Sequence, residues 1–211
     1  MLAHPKHKKF FVIQAMILIT LTTPLATGQA QLAYVTNHLA NSVSVIDFST
    51  DAVTGTVGVQ SLPWGVALTT DGARDYVANQ NSLSVSVIDT ATNTVTATVG
   101  VEQGPSGLAI TPDGTRVYVP NSGSSSVSVI STATNSVIAT VGAGSGPVGV
   151  AITPDGSHAY VTNIFDDSVS VIETTTNIVI ATVGVGHEPN GCYDNQRIVF
   201  CGGAGRAVLQ H

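Results

Sequence analysis

The chain has 211 residues, with seven Lys and Arg against thirteen Asp and Glu, and a net charge of −6 at pH 7. Three of the basic residues (Lys6, Lys8, Lys9) fall within the first ten positions, so beyond residue 30 four arginines face thirteen acids and no lysine remains. Phosphate-backbone binding needs clustered Lys and Arg, so this balance argues against a nucleic-acid partner.

In chain order, the basic stretch is followed by an apolar run from Phe10 to about Leu21, a break at Pro24 and the small residues Gly28-Gln29-Ala30. That is the layout of a secretory signal peptide, with cleavage expected after Ala30. The apolar run is shorter than the ~20 residues a spanning helix needs. Residues 1–30 are therefore expected to be removed, leaving no membrane span and a secreted, periplasmic or cell-surface product.

From residue 31 the chain repeats itself. Tyr34, Tyr76, Tyr118 and Tyr160 open the segments YVTN, YVAN, YVPN and YVTN at a constant spacing of 42 residues. A fixed period of this size marks stacked supersecondary units. Within one unit, Ser106 to Pro112 is a short apolar run ended by Pro112-Asp113-Gly114, a turn sequence. Arg116 to Asn121 follows, then Ser126 to Ser131, whose strict alternation has the period of a strand. A turn through Thr132-Ala133-Thr134-Asn135 leads to the last run, Val137 to Ala143. Four strands with short connections fit in 42 residues. SVSVI recurs at Ser42, Ser84, Ser126 and Ser168, and Pro-x-Gly at Pro63, Pro105, Pro147 and Pro189. Four-stranded sheets repeated around an axis make a β-propeller, in which small residues suit the crowded inner strand. The expected fold is all-β: an open or partial propeller of about four 42-residue blades.

Taken together, YVTN, SVSVID, TATVGV and GVAITPDG over about residues 32–191 resemble the YVTN family of β-propeller repeat proteins, found among exported and surface-layer proteins. The resemblance implies export and a binding or scaffolding role, with no shared catalytic set. A wider similarity to lactonase and quinoprotein-type propellers keeps a second reading open, an enzyme or cofactor-binding protein with its site at the axial mouth.

In an up-down blade, successive connections alternate between the two faces of the disc. The Asp-Gly turns (Asp71, Asp113, Asp155) and the Thr-Asn turns (Asn93, Asn135, Asn177) share one face and hardly vary between units. The connections on the other face differ from unit to unit, and binding residues favour variable loops on a rigid scaffold. The candidates on that face are Trp64, His38, Glu102, Phe165, Asp166, Asp167, His187 and Glu188. Trp64 stands where other units have Ser106, Val148 and Asn190, so the repeat does not demand it. It is either a binding anchor or a cover for the inner end of a terminal blade. Asp166 and Asp167 fall far short of the six to eight oxygens calcium takes, and read as a solvated loop. Gly144 to Gly149 matches Gly-x-Gly-x-x-Gly, but the dinucleotide fingerprint requires a strand-to-helix turn and none is expected here. No catalytic residue, metal or cofactor is expected; the partner is an unassigned protein or cell-surface ligand, with self-association through open blade edges as an alternative.

The repeat fails after Gly191. Residues 192–211 form a divergent tail, in which Arg197 to Phe200 can serve as a closing strand, and Cys192 and Cys201 can pair in an oxidising compartment. An open arc that pairs with another copy, or a shifted reading frame in a larger propeller, are the competing explanations. Because the repeat begins at a YVTN strand, the first blade of the processed chain is expected to lack an inner strand.

Overall fold

A computed structural model describes residues 32–191 and the pair Ile17–Leu18. The tail from residue 192, with its cysteines and the expected closing strand, lies outside the described residues, as do residues 1–31 apart from that pair.

The described chain forms four antiparallel sheets of four strands each, every one a simple meander. The first holds β1 (Ile17–Leu18), β2 (Leu32–Asn37), β3 (Ser42–Asp47) and β4 (Ala52–Gly58). The second holds β5 (Pro63–Leu68), β6 (Arg74–Asn79), β7 (Ser84–Asp89) and β8 (Thr94–Gly100). The third holds β9 (Ala109–Ile110), β10 (Arg116–Asn121), β11 (Ser126–Ser131) and β12 (Ser136–Gly142). The fourth holds β13 (Pro147–Ile152), β14 (His158–Asn163), β15 (Ser168–Glu173) and β16 (Ile178–Gly184). This is the β-propeller architecture that the 42-residue period predicts.

Alternation along each strand sends side chains to two opposite faces of the sheet. In the second sheet Tyr76, Val85 and Val87 point towards the third, where they join Ile110, Val117, Val119 and Ile130 in one buried cluster. Val77 and Ile88 point back to the first sheet and bury Tyr34, Val43 and Val45. Tyr118, Val127 and Val129 meet Ile152, Ala159, Val161 and Ile172 of the fourth sheet in the same way. The core therefore lies between blades, in three repeats of one interface. A tyrosine hydroxyl crosses each of them to an asparagine on the next blade's outer hairpin: Tyr34 to Asn93 (3.0 Å), Tyr76 to Asn135 (2.9 Å) and Tyr118 to Asn177 (2.7 Å).

The final Asn of each YVTN-type segment has a structural task that the sequence reading did not assign. Its amide donates to both serines of Ser-Val-Ser: Asn37 to Ser42 and Ser44, Asn79 to Ser84 and Ser86, Asn121 to Ser126 and Ser128, and Asn163 to Ser168 and Ser170. Two invariant motifs thus form one clamp that ties the second strand of a blade to the third. The outer strand pair carries a β-bulge at the same place in every unit, after Val45, Val87, Val129 and Val171. One extra residue bends and twists the blade edge there.

One expectation needs correction. The inner strand of the third unit does not run from Ser106 to Pro112; regular pairing covers only Ala109–Ile110, with an isolated bridge between Pro105 and Asn121. The reason is local. Gly107 N–H donates to the Val148 carbonyl of the next blade (3.0 Å), and the buried Ser106 hydroxyl lies within bonding distance of the Pro120 and Val148 carbonyls. The Ser106 amide still donates to Pro120 of its own blade (3.0 Å), but the Gly107 amide serves the neighbouring blade, and the regular ladder breaks there. In the 211-residue chain Ile17 and Leu18 pair with Val35 and Tyr34 as the inner strand of the first sheet. The expectation of a missing strand concerned the chain cleaved after Ala30, from which this pair would be gone.

Candidate functional site

The two sets of variable connections meet on one face, and backbone hydrogen bonds show how. In the second blade, Gln80 N–H donates to the Leu62 carbonyl (2.9 Å) and Asn81 N–H to that of Ser61 (3.3 Å). In the third, Ser122 and Gly123 donate to Gly104 and Gln103; in the fourth, Ile164 and Phe165 donate to Gly146 and Ser145. In the second, third and fourth blades the entry loop is thereby stapled to the hairpin loop beside it. The sequence of these loops changes from unit to unit while the backbone stays the same. Leu62, Gly104, Gly146 and Glu188 all take positive φ (50° to 72°), and so do Asn41, Leu83, Ser125 and Asp167 (48° to 52°). Left-handed backbone is costly for residues with a Cβ. Five of these eight positions are neither Gly nor Asn, so the stapled loop pair imposes the conformation.

The candidates fall into two groups and one outlier. His38 stands on a single 3-10 turn (His38–Ala40) and packs edge-on against Trp64, with ring centroids 5.2 Å apart and an interplanar angle of 78°. Its Nδ1 donates to the Pro63 carbonyl (3.1 Å). Trp64 is half-buried at the start of β5, and its own carbonyl accepts from the Thr36 hydroxyl (2.9 Å). The pair bridges the first and second blades, and the tryptophan is held by a neighbour instead of standing free.

The second group belongs to the fourth blade. Phe165 is 72% exposed at the loop tip, and one edge of its ring lies over Gly146, where a Cβ would sit 2.5 Å from the ring. Asp166 accepts from the Ser145 amide. Asp167 accepts from the Glu188 amide (2.9 Å) and from His187 Nδ1 (3.0 Å). Those two hydrogen bonds hold the Asp167 carboxyl below its ordinary range, and Asp167 in turn raises the His187 imidazole above 6.5. The acidic pair is therefore not a simply solvated loop; it fastens the entry loop at 144–146 and the exit loop at 186–188 to the blade. Glu102 is exposed on the same face, on the entry loop of the third blade. The structure records no contact joining it to either group.

Among the described residues no three His, Cys, Asp or Glu side chains stand together as a metal-holding group, and no helix is long and apolar enough to cross a membrane. The opposite face is uniform. Thr69, Thr111 and Thr153 each donate to the aspartate two residues on, and that aspartate accepts from the amide two residues further (3.0 Å each). These bonds lower the carboxyl pKa of Asp71 and Asp113, and that of Asp155 to about 2. The turn chemistry expected of Asp-Gly is what the structure shows.

Sequence reasoning passed over one titratable group. Asp75, on β6, is fully buried between the first and second blades, and neither carboxyl oxygen makes a hydrogen bond of normal geometry. Burial holds its carboxyl well above the ordinary range, against a weaker opposing pull from the Tyr76 amide. The other units carry Ala33, Val117 and Ala159 at this position, and that contrast was available in the sequence.

The fold is shared with solved structures. A chain of Kuenenia stuttgartiensis hydrazine synthase superposes with a TM-score of 0.70 at 33% identity, over 74% of this chain and 46% of that one. A functionally unknown protein from Desulfotomaculum acetoxidans gives 0.69 at 20% identity, over 76% and 55%. The chain spans about half the length of each of these relatives. No protein-family model matches it, and no curated protein does.

Proposed function

We propose that this chain is an exported, non-enzymatic β-propeller of the YVTN type that acts as a binding or scaffold module at the cell envelope or surface. The observation that carries the reading is the asymmetry of its two faces. One is built from the same Thr-Asp turns in blade after blade. The other presents differing side chains on loops whose backbones are stapled pairwise, which is how a rigid scaffold displays a recognition surface. Its anchors are the His38–Trp64 pair and the Phe165, Asp166, Asp167, His187 and Glu188 cluster, with Glu102 between them in chain order.

The test uses labelled full-length protein and envelope fragments from the cells that make it. Trp64→Ala should weaken binding about tenfold or more, the scale of a truncated aromatic anchor, with circular dichroism checking that the variant folds. Equal binding by wild type and variant would remove this face from the proposal. Amino-terminal sequencing of the exported product should begin at Gln31, and an intact Met1 would overturn the leader assignment.

A second reading is a propeller enzyme or cofactor-binding protein, and the 33% identity to a hydrazine synthase chain supports it. Stoichiometric metal or a visible absorbance band in the purified protein would favour that reading over the first.

A further inference from the structure

Three interfaces of one kind hold the blades together, and among the described residues two surfaces of that same kind have no blade packed on them. The trailing face of the fourth sheet carries Tyr160, Val169 and Val183 where the third carries Tyr118, Val127 and Val141. Tyr118 and Val127 are fully buried and Val141 is 6% exposed, whereas Tyr160 is 40% and Val183 50% exposed. The leading face of the first sheet carries Val35, Ser44 and Ile46 where the second carries Val77, Ser86 and Ile88. The latter three are completely buried; the former three are only half-buried. No buried cluster among the described residues joins the fourth sheet to the first.

We propose that these two faces dock on each other between two copies of this chain, head to tail, to give a twofold ring of eight blades. The complementarity is already present inside the molecule. The interface between the third and fourth blades is built from the repeat equivalents of the residues that the fourth and first blades would bring together. The hairpin acceptor is present too: Asp51 stands at the repeat position of Asn93, Asn135 and Asn177, with the same left-handed backbone (φ 52°). At that position Asn93, Asn135 and Asn177 each accept a tyrosine hydroxyl from the preceding blade. A head-to-tail contact closes when its rotation divides the circle, and two such contacts between two chains form a twofold assembly. Eight blades lie within the usual range of closed propellers.

Native mass spectrometry and sedimentation of the full chain, compared with its denatured mass, test this. A native mass of twice the denatured mass is expected. Val183→Asp on the trailing face and Ile46→Asp on the leading face should each weaken association about 100-fold or more, because each places a charge in an apolar contact. Val185→Asp serves as a second trailing-face variant, and circular dichroism with a thermal melt checks that every variant folds. Mixing the Val183→Asp and Ile46→Asp chains leaves one intact face on each, so mixed dimers should form where neither variant pairs with itself. A chain that stays monomeric at about 100 µM would overturn the proposal. So would a dimer indifferent to these substitutions, which would point to strand addition or to cover by residues 192–211.

Discussion

Asp75 is the residue at which this repeat departs from its own rule. Three units place Ala or Val at the position, and the second unit places a carboxyl between two apolar sheets. A carboxyl whose folded pKa stands above its unfolded value holds its proton more tightly in the folded state. Stability from this group is therefore greatest below the ordinary carboxylate range and falls as pH rises from about 4 towards the raised folded value. Asp75→Ala should raise stability at pH 7 by about 1–3 kcal/mol, the usual scale for removing a buried group with unmet hydrogen bonds. It should also flatten the fall above pH 4, as urea unfolding across a pH series would show. Unchanged stability in the variant would mean that the carboxyl reaches water. The same interface desolvates the Tyr34 hydroxyl, which is pushed up to about 12, mainly by burial and then by Asp75 and Asp89.

At the scale of elements, the inner strands are limited by how closely they approach the axis. A Cβ on Gly65 would sit 2.5 Å from the Ser106 carbonyl oxygen and 3.0 Å from the Gly107 Cα of the next blade. Both obstacles are backbone, so neither can rotate away. Gly65→Ala should cost about 1–3 kcal/mol through overpacking, read as a lower denaturant midpoint at unchanged slope. Inner strands were readable as small-residue runs because their motif recurs in every unit. Their lengths were not: β9 is cut to two residues by hydrogen bonds that Ser106 and Gly107 make to the next blade. Strands two to four of each unit match expectation closely, because alternation and turn residues act within the unit. The Asn-to-Ser clamp was visible only as unexplained invariance of two motifs.

Across the whole molecule, one residue type measures how far the blade stack extends. Tyr34, Tyr76 and Tyr118 are buried by the blade that follows, whereas Tyr160 is 40% exposed. Tyr118→Ala should therefore cost about 3–5 kcal/mol, as removal of a fully buried aromatic does. Tyr160→Ala should cost clearly less under conditions where the chain is monomeric. Equal losses in equilibrium unfolding would mean that the fourth blade is covered in solution. The same end faces are the surfaces through which two copies are proposed to close.

Local periodicities alone determined the four-blade count, the strands, the turns and the choice of variable face, since each arises within 42 residues and is repeated in the chain. Which candidates touch was decided by the tertiary structure: His38 meets Trp64 and Asp167 meets His187 across loops 20 or more residues apart in sequence. The isolation of Asp75 and the exposure of the end faces were decided there too. Those properties depend on what the neighbouring blade brings into contact, and a sequence pattern specifies which face is apolar without specifying what covers it.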